Sequence, residues 1–247
     1  MTKSEQIITV GADPEVFLKW QELGTYTTSC GMFGGTKENP RPLGEKKGFF
    51  VQEDNVALEF NIPPARSLNE WIQGLNYSLA KIQEETDAYG MDIAIDAAVI
   101  FDPDELTDPR AMTFGCDADY NAWTMEMNPH PSAKNKNLRT GAGHVHFGCT
   151  SVDPWLFVRA MDLYLGIPSV LMDQNGSTRR ELYGKAGAYR PKPYGGEYRV
   201  LSNFWLKSEN LQQWVYTQTQ RAANYVRSGN YIEDKSSLGK AIQICIN

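Results

Sequence analysis

Cysteine is scarce, and its spacing excludes a zinc knuckle or a C-x-x-C redox pair: Cys30, Cys116, Cys149 and Cys245 stand far apart in the 247 residues. A chain of this length needs no disulfide staples, so the thiols are expected to be reduced and the protein cytoplasmic. Basic charge is not in excess. With 24 Lys and Arg against 30 Asp and Glu, the net charge is −6, which argues against nucleic acid or an anionic membrane as the partner. The stretch "MTKSEQIITVGADPE" carries no apolar leader, and neither an internal repeat nor a G-x-x-x-x-G-K-[ST] phosphate loop occurs. The greasiest run, "WLFVRAMDLYLGIPSVL", contains Arg159, Asp162 and Pro168, so it reads as a buried helix rather than a membrane span.

What is present is ordinary globular material, 41% hydrophobic and 22% charged, enough for one core and too apolar for wholesale disorder. We expect one domain over residues 1–229 and a C-terminal extension, 230–247, packed on it, with a short strand at "AIQICIN". Ser67 and Glu70 form a capping box ahead of a helix that runs to Gly90. Asp153 and Pro154 start a second helix, which Pro168 ends or kinks, and Ser208 caps a third that runs to Gly229. Strands are expected in "IITVGADPEVFLKW", "VQEDNVALEFNIPP", "MDIAIDAAVIF", "GAGHVHFGC" and "GGEYRVLSNFW". They do not alternate regularly with the helices. The fold class is therefore α+β, a largely antiparallel curved sheet with helices on its outer face.

Four of these strands repeat one pattern of period two. Asp13 and Glu15 alternate with Pro14 and Val16, Glu59 and Asn61 with Leu58 and Phe60, His144 and His146 with Val145 and Phe147, and Glu197 and Arg199 with Tyr198 and Val200. Taken singly, each pair has a plainer reading as a turn, a solvated edge or hydrogen-bonded core residues. Taken together, they would gather carboxylates, imidazoles and a guanidinium on the uncovered face of the sheet. So many acids in one hollow repel one another unless cations neutralise them, and oxygen-rich donors suit Mg²⁺ or Mn²⁺. The segment "STRRELYGKAGAYRPKPYGGEYR" adds Arg179, Arg180, Arg190, Arg199, Lys185 and Lys192. Acids for metal and arginines for phosphate point to a nucleoside triphosphate such as ATP.

These same stretches carry a resemblance. "VGADPEVFL" is similar to the G-P-E-P-E-F-F-L segment of glutamine synthetases, "GAGHVHFG" to their G-S-G-M-H-V-H, and "GEYRVLSN" to the strand with their E-x-R pair; "LEFNIPP" resembles the E-x-N-x-P strand of glutamate–cysteine ligase relatives. With "GCDADYNAW" and "RRELYGKAGAYRPKPYGGEYRVLSNFW", the ensemble most resembles the phage-encoded COOH-NH2 ligase type 2 family of that amidoligase superfamily. The resemblance implies a glutamine synthetase catalytic-domain-like fold, with Asp13, Glu15, Glu59, His144 and Glu197 facing metal and His146 at the substrate side. Arg199 would face the transferred phosphate, and Arg179, Arg180, Arg190 and Lys185 would contact nucleotide or substrate. Position 13 is Asp where glutamine synthetases have Glu, and Gly195 stands where they have an arginine. At 247 residues the chain is also too short for the amino-terminal domain that completes the glutamine synthetase site across subunits, so a homo-oligomer does not follow from the resemblance and is left open.

The implied reaction joins a small-molecule or peptide carboxylate to an amine through an acyl phosphate made from ATP. Asp117 or Asp119 is the expected base for the incoming amine. A guanidino-kinase-like phosphotransferase, a non-catalytic phage binding or structural protein, and a zinc hydrolase using His144 and His146 are the rival readings.

Overall fold

The run from Thr9 to Trp20 forms a single 12-residue strand, and the sheet is built around it. In this computed structural model, which describes residues 8–112 and 119–247, that strand (β1, Thr9–Trp20) is followed by β2 (Tyr26–Thr27), β3 (Arg41–Pro42), β4 (Phe50–Asp54) and β5 (Ala57–Asn61). Next come α1 (Leu68–Asp87), β6 (Met91–Ala94), β7 (Ala98–Ile100), α2 (Pro109–Met112), β8 (Tyr120–Asn121), β9 (Leu138–Thr140) and β10 (Gly143–Gly148). The rest of the chain forms α3 (Pro154–Met161), α4 (Ile167–Met172), α5 (Ser177–Leu182), β11 (Ala188–Lys192), β12 (Gly195–Tyr198), α6 (Glu209–Arg227) and α7 (Ser237–Ile246).

The sheet order is β3-β4-β5-β1-β10-β12-β11-β8, with β2 and β6 paired to the far half of β1. Every one of these pairings is antiparallel. Pro14 has no N–H to give a ladder, and a proline inside a central strand needs a reason. The reason is that β1 changes partner beside it. Its register with β10 ends at Pro14 opposite Gly143, and its register with β5 begins at Glu15 opposite Glu59.

One face of the sheet is apolar and carries the core. Val10, Ala12 and Val16 of β1, Leu58 and Phe60 of β5, Val145 and Phe147 of β10 and Tyr198 of β12 are all buried in one cluster. Helices α1, α3 and α6 cover this face. Phe147 meets Phe157 of α3 with ring centroids 4.3 Å apart, and Trp71 of α1 stacks on Trp205 at 5.5 Å while donating to the Gln212 carbonyl of α6. Of the caps the sequence offers, those at Ser67 and Ser208 form, whereas Asp153 at the start of α3 makes no side-chain capping hydrogen bond. Ser67 accepts from the Glu70 N–H, the Glu70 carboxylate accepts from the Arg66 N–H, and Ser208 accepts from the Leu211 N–H. A smaller cluster around Phe17, Val99 and Phe101 closes one end of the opposite face.

Two expectations are corrected. Pro168 does not end its helix; a π-helical segment, Asp162–Gly166, precedes it and the helix resumes over Ile167–Met172. The widened turn accommodates a residue that lacks an N–H and crowds the carbonyl four residues earlier. Pro154–Met172 is long and apolar enough to cross a membrane, yet half of it is buried within the fold. The segment "AIQICIN" is helix, not strand. Ile242 and Ile246 are buried at 0% and 2% exposure while Ile244 is 78% exposed, the i, i+4 spacing of a helix packed on α4 and the π segment. Ser236 caps it by accepting from the Gly239 N–H.

Trp71 fills the junction of two helices, so Trp71→Ala is expected to lower unfolding free energy by ~3–5 kcal/mol. Urea unfolding followed by fluorescence measures this; a loss under ~1 kcal/mol would show that the junction repacks.

Candidate active site

The polar partners of the core residues leave the other face of the sheet. Register sets them side by side: Gln52 opposite Glu59, Glu59 opposite Glu15, Asp13 opposite His144, His146 opposite Glu197, and Glu197 opposite Arg190. They border a cavity of about 650 Å³ whose lining also includes Asp54, Asp119, Arg179, Lys192 and Arg199. Lys37 reaches it from the loop after β2, a loop anchored where Glu53 accepts from the N–H groups of Gly31, Phe33 and Gly34.

The acids form two groups. Asp13, His146 and Glu197 bring one ligand atom each to within 4.8 Å of one another, and so do Glu15, Asp54 and Glu59. The first group is ringed by cations. Arg199 Nη1 makes a short ion pair with Glu197 Oε1, Lys192 Nζ lies 2.8 Å and Arg190 Nη1 3.6 Å from Glu197 Oε2, and His146 Nε2 lies 2.9 Å from Asp13 Oδ2. These close approaches are not all aligned as hydrogen bonds. Asp13 Oδ1, His146 Nε2 and Glu197 Oε2 are buried without a hydrogen-bond partner, a state that favours an additional ligand. Tyr194, in the turn between β11 and β12, places its hydroxyl 2.6 Å from His146 Nδ1 and so turns Nε2 toward Asp13.

Burial acts to raise the pKa of Asp13, Glu15, Glu59 and Glu197, and neighbours decide which stay raised. Asp13 resists burial through His146 and His144, which hold it well below the carboxylate range. Burial and Asp13 push Glu197 up, but His144, Arg199 and His146 bring it down to about 2. Burial and Arg199 lower His144 to about 4, whereas His146 is raised, Asp13 outweighing burial. In the second group nothing compensates as fully. Burial and then Asp54 raise Glu15 to about 8, and burial with Asp13, Asp54 and Glu15 raises Glu59 well above its ordinary value. An all-oxygen set of crowded carboxyls fits a hard divalent cation, and the mixed oxygen and nitrogen set of the first group fits Mg²⁺ or Mn²⁺ as well.

The residues singled out in the sequence fall unevenly. Asp13, Glu15, Glu59, His144, His146, Arg190 and Arg199 line the cavity, with Glu197, 0% exposed, ion-paired to Arg190, Lys192 and Arg199 of its lining. Both histidines stand beside Asp13 and Glu197. His146, opposite Gly11, brings a ring nitrogen to within 4.8 Å of an oxygen of each acid. His144 Nδ1 lies 3.5 Å from both Asp13 Oδ1 and Glu197 Oε1, and 3.3 Å from Arg199 Nη1. Arg179 lines the cavity but donates to the Val200 and Arg199 carbonyls, bracing the backbone that carries Arg199. Arg180 is not in the cavity lining and lies 3.8 Å from Asp173, and Lys185 faces a second cavity. The turn of α5 and the chain after it thus keep these two side chains apart from the acids of the first cavity. Asp117 lies outside the described residues; Asp119 lines the cavity, its Oδ2 3.2 Å from Arg199 Nε.

Asp54 and Lys192 were not singled out as site residues. Asp54 was readable, because Gln52 and Asp54 alternate in "VQEDN" as Glu59 and Asn61 do in the facing strand. Lys192 shares the parity of Arg190 along β11.

With this geometry in place, the comparison with known families gives one result. Residues 116–235 match the family model described as phage phiEco32-like COOH.NH2 ligase-type 2. This is the family whose motifs the sequence resembles, and its name is that of a carboxylate–amine ligase. The COOH.NH2 ligase match takes in His144, His146, Arg190, Glu197 and Arg199, whereas Asp13, Glu15, Asp54 and Glu59 precede it. No curated protein matches the chain.

A dication among Glu15, Asp54 and Glu59 has to displace the proton that Glu15, at about 8, still holds at neutral pH. Mn²⁺ affinity is therefore expected to rise with pH between 6 and 8, by up to ~tenfold per unit for each proton released. Calorimetric titration in buffers of different ionisation enthalpy reads that release. An affinity flat in pH would place the ion elsewhere.

Proposed function

We propose that the protein is an ATP-dependent carboxylate–amine ligase that forms an amide or isopeptide bond through an acyl phosphate. The observation that carries this reading is the pairing of two acid groups with Arg190, Lys192 and Arg199 in one cavity. Phosphoryl transfer asks a protein mainly for positioning and charge neutralisation, and these residues supply both. Asp13, His146 and Glu197 would hold one Mg²⁺ or Mn²⁺ and Glu15, Asp54 and Glu59 another. Bound there, the ions would screen the phosphates of ATP and offset the acids' mutual repulsion. An antiparallel sheet with one helix-covered face and one charged face supports a glutamine synthetase-like arrangement. A net charge of −6 supports small-molecule or peptide substrates over nucleic acid, and the family's name supports a phage-encoded enzyme, for which the host cytoplasm is the setting we propose.

In the first step a substrate carboxylate oxygen attacks the γ-phosphorus and the bond to ADP breaks. Arg199, held by Glu197 and Asp119, faces the transferring group, with Arg190 and Lys192 beside it. In the second step the amine nitrogen bonds to the acyl carbon, and the carbon–oxygen bond breaks with its electron pair leaving on phosphate. The incoming ammonium first gives up a proton, and in this reading the Asp119 carboxylate, which lines the cavity, would take it.

Incubation with ATP, Mg²⁺ and pools of carboxylates and amines, read by mass spectrometry and phosphate release, tests the reaction class. A ligase releases phosphate only with both substrates and yields a condensed product; a phosphorylated single substrate would mark a phosphotransferase, and no turnover in any pool a binding protein. Two variants bear on the roles. Glu197→Gln is expected to lower turnover by ~10²-fold or more with folding retained, and Arg199→Lys by ~10–10²-fold, since an ammonium keeps the charge but not the fork. Wild-type rates in either variant would remove that residue from the site.

A further inference from the structure

A second cavity, of about 230 Å³, lies against the first, and Asp119, Tyr183 and Gly184 line both. The shared wall is thin because Gly184 brings backbone where a side chain has no room. Its φ is +67°, and a Cβ there would lie 2.2 Å from Arg179 Nη1 and 2.5 Å from the Val200 carbonyl. Asp119 is held in this wall from both sides. Its Oδ1 accepts from Asn128 Nδ2 at 2.8 Å on the second cavity's side, and its Oδ2 pairs with Arg199 Nε at 3.2 Å on the first cavity's side. The second cavity adds Glu181 as a further acid and Lys185 and His130 as bases, all three exposed.

We propose that this second cavity is the binding site of the acceptor amine, and that the acceptor is of amino-acid type: a primary ammonium at one end and a carboxylate at the other. The proposal rests on the ligase reading above and gives it a second substrate class. An amine reaches the protein as an ammonium ion, so its site needs carboxylates, and Asp119 and Glu181 provide them. Lys185 would repel a simple polyamine and attract an anionic end. Asp119 belongs to both chambers, so an ammonium paired with it stands next to Arg199, on the side where the acyl group is made. The volume suits a molecule of amino-acid size.

Saturation-transfer NMR with the whole protein tests this, using as probes a pool of the common amino acids, putrescine as a cation without an anionic end, and succinate as an anion without an amine. Binding is expected from amino acids and from neither control, with affinity weakened ~tenfold or more in Glu181→Gln and in Lys185→Ala. Both side chains are exposed, so folding is not at stake. Absence of amino-acid binding, equal binding of putrescine, or unchanged affinity in both variants overturns the proposal. Mn²⁺ titration of the same samples separates the two failures. Normal Mn²⁺ binding without amino-acid binding refutes only the amine site, whereas loss of Mn²⁺ binding in the wild type refutes the ligase reading itself.

Discussion

The structure depends on carboxylates being held together, out of water, on one face of an antiparallel sheet. Register causes this: Glu15 opposite Glu59, Asp13 opposite His144 and Glu197 opposite His146 are cross-strand neighbours. Side chains alternate with period two, so the strands that send Val16, Phe60, Val145 and Tyr198 into the helical layer must send the acids the other way. A slip of one residue would bury carboxylates against α1, α3 and α6, which ties the site to the stability of the core. Like charges at this spacing destabilise the fold unless they are compensated.

The compensation differs between the two halves. Around Asp13 and Glu197 it comes from the fixed charges of Arg199 and Lys192 on Glu197 and from the His146 imidazole beside Asp13, whose pKa Asp13 raises against burial. Those acids are ionised at any physiological pH. Around Glu15 and Glu59 it comes from protons, because burial and neighbouring acids keep both carboxyls raised. One half is thus a preorganised charge network, its acids offset by neighbouring bases although Asp13 Oδ1, His146 Nε2 and Glu197 Oε2 lack hydrogen-bond partners. The other is a proton store that a cation would empty.

The family match covers the charge network except for Asp13, and none of the proton store. The strands β10, β11 and β12 lie inside residues 116–235, whereas β1, β4 and β5 lie before them. Only the sheet unites the two, through β1, which pairs with β10 on one side and β5 on the other. The same long strand that changes partner at Pro14 therefore contributes Asp13 to one acid group and Glu15 to the other.

The sequence by itself determined what local rules govern. Helix starts at Ser67 and Ser208 follow from side-chain caps, and the face on which Asp13, Glu15, Glu59 and the two histidines leave their strands follows from alternation. The short motifs were enough to name a family. Tertiary structure decided everything that depends on which strands become neighbours. Both histidines come to stand beside Asp13 and Glu197 because β10 lies between β1 and β12; Asp54 completes the second group because β4 folds back on β5; and Arg180 and Lys185 lie outside the first cavity although Arg179 and Arg190 line it. The terminal helix belongs to the same class, since apolar β-branched residues suit a strand until a groove on α4 and the π segment selects the i, i+4 face. Period and capping act within a few residues and can be read along the chain, whereas contacts between distant segments are set by packing of the whole.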